Sequence, residues 1–212
     1  MVLCNIMSDS NQGSTWIRNY TEENEGWHDL IGPITFFGTD ISDPTRSQIL
    51  SSGHMAYKFD IGKRFEILYH LQHDFRSESP IYVHVHWVSD GSDPNPVTWG
   101  FHFQYARGFA RGYYDFSGSE NLVTVTEAPQ PPQGDNLDQL CHMTSPVIVP
   151  FESELFEPDG IILMQLQRLG NADAVPAVEA DDNTDGIFVL TCDCHYRSHG
   201  YSTKNRLPPW EY

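Results

Sequence analysis

The sequence is short of cations. Twelve Lys plus Arg stand against 29 Asp plus Glu, a formal charge of -17. A surface of that sign repels phosphate backbones and anionic lipid, so neither nucleic acid nor a membrane surface is an expected partner. Long apolar runs are also missing: no stretch is long enough to cross a bilayer as a helix. Met1 to Met7 lack both the basic start and the apolar centre of a signal peptide, so export by that route is not expected.

Cysteine is sparse, with Cys4, Cys141, Cys192 and Cys194 in no recognisable disulfide framework. Two residues apart on an extended chain, Cys192 and Cys194 point the same way but are badly placed to bridge, so reduced thiols are predicted. Catalytic signatures are missing as well. There is no Gly-x-Ser-x-Gly elbow and no Gly-Lys-Ser/Thr phosphate loop. The neighbouring Cys-His pairs at 141–142 and 194–195 would point to opposite faces of a strand. The chain is predicted not to be an enzyme.

What the sequence does have is aromatic mass and turns: 12 Phe, 10 Tyr and 5 Trp, with 16 Gly and 14 Pro. That is enough apolar material to fold. From about residue 55 the apolar residues alternate. Phe65, Ile67, Tyr69 and Leu71 share one face; so do Ile81, Val83, Val85 and Trp87; so do Val97, Trp99, Phe101, Phe103 and Tyr105. Later strands are predicted at 122–127, roughly 140–149, 160–169 and 186–197, with Asp159-Gly160 and Asp185-Gly186 as turns into the last two.

No long amphipathic helix is present, although Thr45 to Leu50 after Pro44 predicts one short helical turn ended by Gly53. The expected fold is therefore all-β: a single jelly-roll-like β-sandwich of about eight antiparallel strands. An N-terminal arm with short strands (1–54) precedes the sandwich (55–197), and a C-terminal tail (198–212) follows it. The arm either packs on the body or reaches a neighbour.

The sharpest local feature is His84-Val85-His86, because a two-residue period puts both imidazoles on one face, close enough to share a metal ion. His195, in Cys192-Asp193-Cys194-His195, is the further ligand candidate, and zinc is the one candidate cofactor, the alternative being none. The bland reading is that these rings hydrogen-bond across strands or meet solvent. A His-x-His strand on a jelly roll also suggests a cupin-like metal-binding protein, but the run after His86 contains no Glu and the later cupin motif has no match. The carboxylates of 173–185 offer oxygens for calcium but lack the spacing of a calcium loop, which favours a solvated acidic loop. Arg107, Phe109, Arg111, Tyr113 and Tyr114 form a basic-aromatic island, read either as an interface anchor or as a cover for the sandwich end. Trp16, Trp27, Trp210 and Tyr212 complete the candidate interface residues.

Four motifs in order carry a family resemblance: Leu71-Gln72-His73-Asp74, Tyr82-Val83-His84-Val85-His86-Trp87, Val97-Thr98-Trp99, and Asp193-Cys194-His195-Tyr196. Together they resemble a group of tailed-phage virion proteins over roughly residues 55–197, and depart from it after Tyr196, where a longer Pro-Trp ending replaces a short Gly-Ser tail. The resemblance implies a structural protein, located in the virion after assembly in the host cytoplasm. It implies capsid cement or head decoration, or alternatively a tail, collar or fibre component. The expected partners are copies of itself, as a trimer or dimer, and the major capsid protein or other virion proteins.

Overall fold

The computed structural model describes residues 26–35, 42–49, 53–108, 114–115, 121–129, 141–170 and 181–199. Among these, strands dominate and no α-helix occurs. In chain order the strands are β1 (Gly26–Ile31), β2 (Ile34–Thr35), β3 (Thr45–Gln48), β4 (Met55–Phe59), β5 (Arg64–His70), β6 (Tyr82–Ser89), β7 (Val97–Ala106), β8 (Tyr114–Asp115), β9 (Leu122–Glu127), β10 (His142–Met143), β11 (Val147–Ile148), β12 (Ile161–Arg168) and β13 (Ile187–Ser198). A 3-10 turn lies at Ser153–Leu155.

Two antiparallel sheets form a sandwich. Sheet A runs β10-β6-β13-β4-β3, with β11 also on β6 and β1 also on β13; sheet B runs β2-β5-β12-β7-β8, with β9 also on β7. Eight strands carry the body if β10 and β11 count as one broken strand. The first, third, sixth and eighth of them lie in sheet A, and the second, fourth, fifth and seventh in sheet B. The chain therefore crosses repeatedly from one layer to the other, with β6 seated between the sixth and eighth strands and β12 between the second and fourth. This is the strand order of a jelly roll.

The predicted alternation is the alternation observed. Phe65, Ile67, Ile81, Val83, Val85, Trp87, Val97, Trp99, Phe101, Phe103, Ile162, Met164 and Leu166 are all buried between the sheets. Each such side chain contributes about 1.5–3 kcal/mol by leaving water, which makes this interior the main source of stability. Trp87 and Trp99, one from each sheet, meet edge to face at 6.3 Å. Gly160 is required where it stands, because a Cβ there would strike the Tyr105 ring and hydroxyl, which accepts from the Glu157 amide at 3.1 Å.

Three expectations change. The predicted helical turn at Thr45–Leu50 is instead strand β3, which pairs with β4 and so satisfies the backbone of an otherwise open sheet edge. Gly53, at φ 80, serves the β3–β4 turn, where the Ile49 amide donates to the His54 carbonyl at 2.8 Å. The strand predicted at 140–149 is broken into β10 and β11, since Pro146 has no amide to donate. The Thr144 hydroxyl replaces the missing ladder there, accepting from the Val85 amide at 3.1 Å while the Thr144 amide donates to the Val85 carbonyl at 3.0 Å.

The acidic loop is also no solvated fringe at its end. Asp181 and Asn183 are buried, and the guanidinium of buried Arg168 donates to Asp181 and to the Phe59 and Asn183 carbonyls. The described part of residues 1–54 packs on the body. Strand β1 pairs with β13 over six residues, and β2 pairs with β5.

Candidate metal centre

On strands β6 and β13 the pleat sends Val83, Val85, Trp87, Cys192, Cys194 and Tyr196 inward and the intervening residues outward. The outward row of β6 holds Tyr82, His84 and His86; that of β13 holds Thr191, Asp193 and His195. Asp193 lies directly across from His84, Thr191 across from His86, and Asp29 of β1 across from His195. Register therefore assembles three histidines and two carboxylates on the outer face of sheet A, away from the core.

The distances are short. His84 Nε2 lies 3.0 Å from His86 Nε2, and Asp193 Oδ2 lies 3.6 Å from the first and 3.2 Å from the second. His195 Nε2 meets His84 Nδ1 at 2.9 Å, and its own Nδ1 meets Asp29 Oδ1 at 2.5 Å. The Thr191 hydroxyl donates to Asp193 Oδ1 at 2.9 Å, which fixes the carboxylate and leaves Oδ2 turned toward the two rings. His84 is buried and stacks on His195, while His86 stays partly open to solvent. Burial pushes the His84 pKa below its ordinary value. Its neighbours His195 and His86 push the same way, against the pull of Asp193 and Asp29. A neutral ring with a free lone pair is the form that ligates a metal.

Among the described residues, His84, His86 and Asp193 are the one group of His, Cys, Asp or Glu whose ligand atoms converge this way. His84, His86 and His195 are the ligands expected from the sequence. The structure brings all three together but gives the third inward-turned atom to Asp193, with His195 behind His84. Asp193 also supplies the carboxylate that the run after His86 lacks, from a distant strand instead of the next few residues.

No family model matches the chain, and no curated protein matches it. Solved structures with similar layouts include dimeric latent PorU from Porphyromonas gingivalis, at 6% identity and TM-score 0.37, over 82% of this chain and 13% of that one. Another is infectious bursal disease virus Gx strain, at 11% identity and TM-score 0.33, over 97% of this chain and 39% of that one. This chain thus spans well under half the length of either. The likeness to tailed-phage virion proteins stands on its four motifs alone.

The structure gives several of those motif residues packing roles. Asp74 accepts from the Tyr196 hydroxyl at 2.8 Å and from the Ser198 hydroxyl at 2.6 Å, which ties the loop after β5 to the end of β13. His73 and His70 both reach Asp159 Oδ1, at 2.6 and 3.2 Å. Cys192 and Cys194 are free and buried, and burial pushes both thiols up, Cys192 to about 12. They face away from the histidines, so no thiolate joins the cluster.

Of the candidate interface residues, Trp27 is exposed on the outer face of β1, with its ring edge-on to Tyr82 at 5.4 Å. Arg107 pairs with Glu157 at 3.1 Å, which serves the sandwich end. Tyr114 lies on β8. Trp16, Phe109, Arg111, Tyr113, Trp210 and Tyr212 lie outside the described residues, as do all of residues 173–180.

Proposed function

We propose that this chain is a non-enzymatic structural subunit of a virion, one that oligomerises and cements or decorates the exterior of a phage head. The observation that carries this reading is the outer face of sheet A. Trp27 and Ile31 on β1, Met143 on β10 and Ile148 on β11 are 51%, 74%, 54% and 55% exposed. All four belong to that one face by register: Trp27 pairs with Arg197, Ile31 with Asp193, Met143 with His86 and Ile148 with Tyr82. Large apolar side chains gathered on a flat sheet face mark contact surfaces, the more so on a chain whose net charge of -17 keeps it apart elsewhere. An aromatic and a methionine among them suit the centre of an interface. The order of motifs shared with tailed-phage virion proteins supplies the virion context. A tail, collar or fibre component built on the same face is the second reading.

Light scattering on the purified chain, followed by cosedimentation with heads and with tails of the phage that encodes it, tests the assignment. A discrete oligomer that pellets with heads supports it, and Trp27→Ser with Met143→Lys should release both associations. Pelleting with tails alone moves the protein to the second reading. A monomer that pellets with neither overturns both.

A further inference from the structure

We propose that His84 Nε2, His86 Nε2 and Asp193 Oδ2 bind one divalent first-row transition metal ion of the zinc type on the outer face of sheet A. Ligands about 2.0–2.2 Å from a zinc ion stand roughly 2.9 Å apart at right angles and roughly 3.4 Å apart at tetrahedral angles. Two of the three observed separations, 3.0 and 3.2 Å, fall within that range, and the third, His84 to Asp193 at 3.6 Å, lies about 0.2 Å above it. Two imidazoles with one carboxylate on one side of an ion are a recurrent metal triad that leaves further positions open, here toward solvent.

The atoms behind the triad argue for the same occupant. If His84 donates through Nδ1 to His195 Nε2, and His195 donates through Nδ1 to Asp29, every proton in that row is placed and the His84 Nε2 lone pair is left facing inward. A ligating histidine held through its other nitrogen by a chain ending on a carboxylate is the usual support of a metal site. Thr191 does the same for Asp193. Without an ion, three lone-pair-bearing atoms converge and a single shared proton can serve only one pair of them at a time. A cation serves all three.

Both donor strands lie inside the sheet, flanked on either side by partners, so the site is rigid before the ion arrives. His195 is thus a positioning residue, not a ligand. The site shares the outer face of sheet A with the proposed contact surface, but its three ligands come from a single chain, so ion binding by the purified chain is tested apart from its assembly.

Chelator-stripped full-length protein titrated calorimetrically with zinc chloride alone decides the matter. One ion per chain is expected, together with a zinc-dependent rise in melting temperature. Either His86→Gln or Asp193→Asn, both at partly open positions, should abolish the one-site isotherm while the far-ultraviolet spectrum of the fold persists. His195→Ala should keep the stoichiometry and weaken binding about 10- to 100-fold, the cost of losing an orienting partner. Cobalt in place of zinc should give visible absorption in the wild type and none in the two ligand variants. Absence of saturable binding in the wild type overturns the proposal. So does a one-site isotherm left intact in both His86→Gln and Asp193→Asn, which would place the ion at other residues.

Discussion

Arg168 grips Asp181 through both carboxylate oxygens, Nε to Oδ2 at 2.8 Å and a terminal nitrogen to Oδ1 at 2.9 Å, with both side chains out of water. Its other contacts run to carbonyls of β4 and of the loop before β13, so one guanidinium joins three chain segments. Removing one partner strands a buried charge. Arg168→Met is expected to cost about 3–5 kcal/mol, and the pair Arg168→Met with Asp181→Leu clearly less than the sum of the single changes. Urea unfolding of the three variants measures this; additive losses would mean that the two groups do not depend on each other.

Strand β5 offers a test of the layer assignment within two adjacent residues. Ile67 is 1% exposed and Leu68 is 37% exposed, on opposite faces of sheet B. Ile67→Ala should cost about 2–5 kcal/mol. Leu68→Ala should stay within about 0.5 kcal/mol, since it leaves no cavity. Equal losses in the denaturation midpoint would contradict the register of β5 with β12.

Thiol chemistry separates the described cysteines. Cys141 is exposed, whereas Cys192 and Cys194 are sealed in the core with their pKa values driven upward by burial. Thiolate is the reactive form, so alkylation of the native protein at mildly alkaline pH should mark Cys141 and spare the other two until denaturant is added. Peptide mapping of the label reads the outcome, and early labelling of Cys192 would mean that β13 does not close the sandwich.

The sandwich was legible because a two-residue period survives in a strand with one core face. Strand β5 keeps it throughout, and in β6 and β7 the apolar residues Val83, Val85, Trp87, Val97, Trp99, Phe101, Phe103 and Tyr105 still recur at every second position although some residues between them are buried too. The metal-type cluster was only half legible. His84 and His86 are local neighbours on β6, and alternation in Cys192-Asp193-Cys194-His195 already puts Asp193 and His195 on a common face. Which of those two lies opposite His84 depends on how β13 registers against β6, including the irregularity between Val189 and Thr191, and nothing local encodes that. The buried end of the acidic loop was hidden for a similar reason. Asp181 sits in a run of carboxylates that suggests solvent, and its partner closes a strand 13 residues earlier.

His102, on the outward side of β7, gives the fold a pH dependence that can be isolated. Burial of the ring lowers its pKa from the ordinary 6.5; the Gln167 hydrogen bond raises it again in part, and the Arg64 charge lowers it. The unfolded chain, with the higher pKa, takes up the proton first. His102 therefore contributes full stability above about 6.5 and loses it as pH falls toward the lower folded value, because unfolding there binds a proton that the folded state refuses. Replacing the ring with an amide removes that proton uptake and leaves every other histidine in place. Urea midpoints collected from about pH 7.5 down to about pH 5.5 should accordingly fall more steeply for the wild type than for His102→Gln, by an amount set by the depressed pKa. Parallel curves would mean that the ring is protonated as readily in the folded chain as in the unfolded one, and that water reaches it despite the packing around β7.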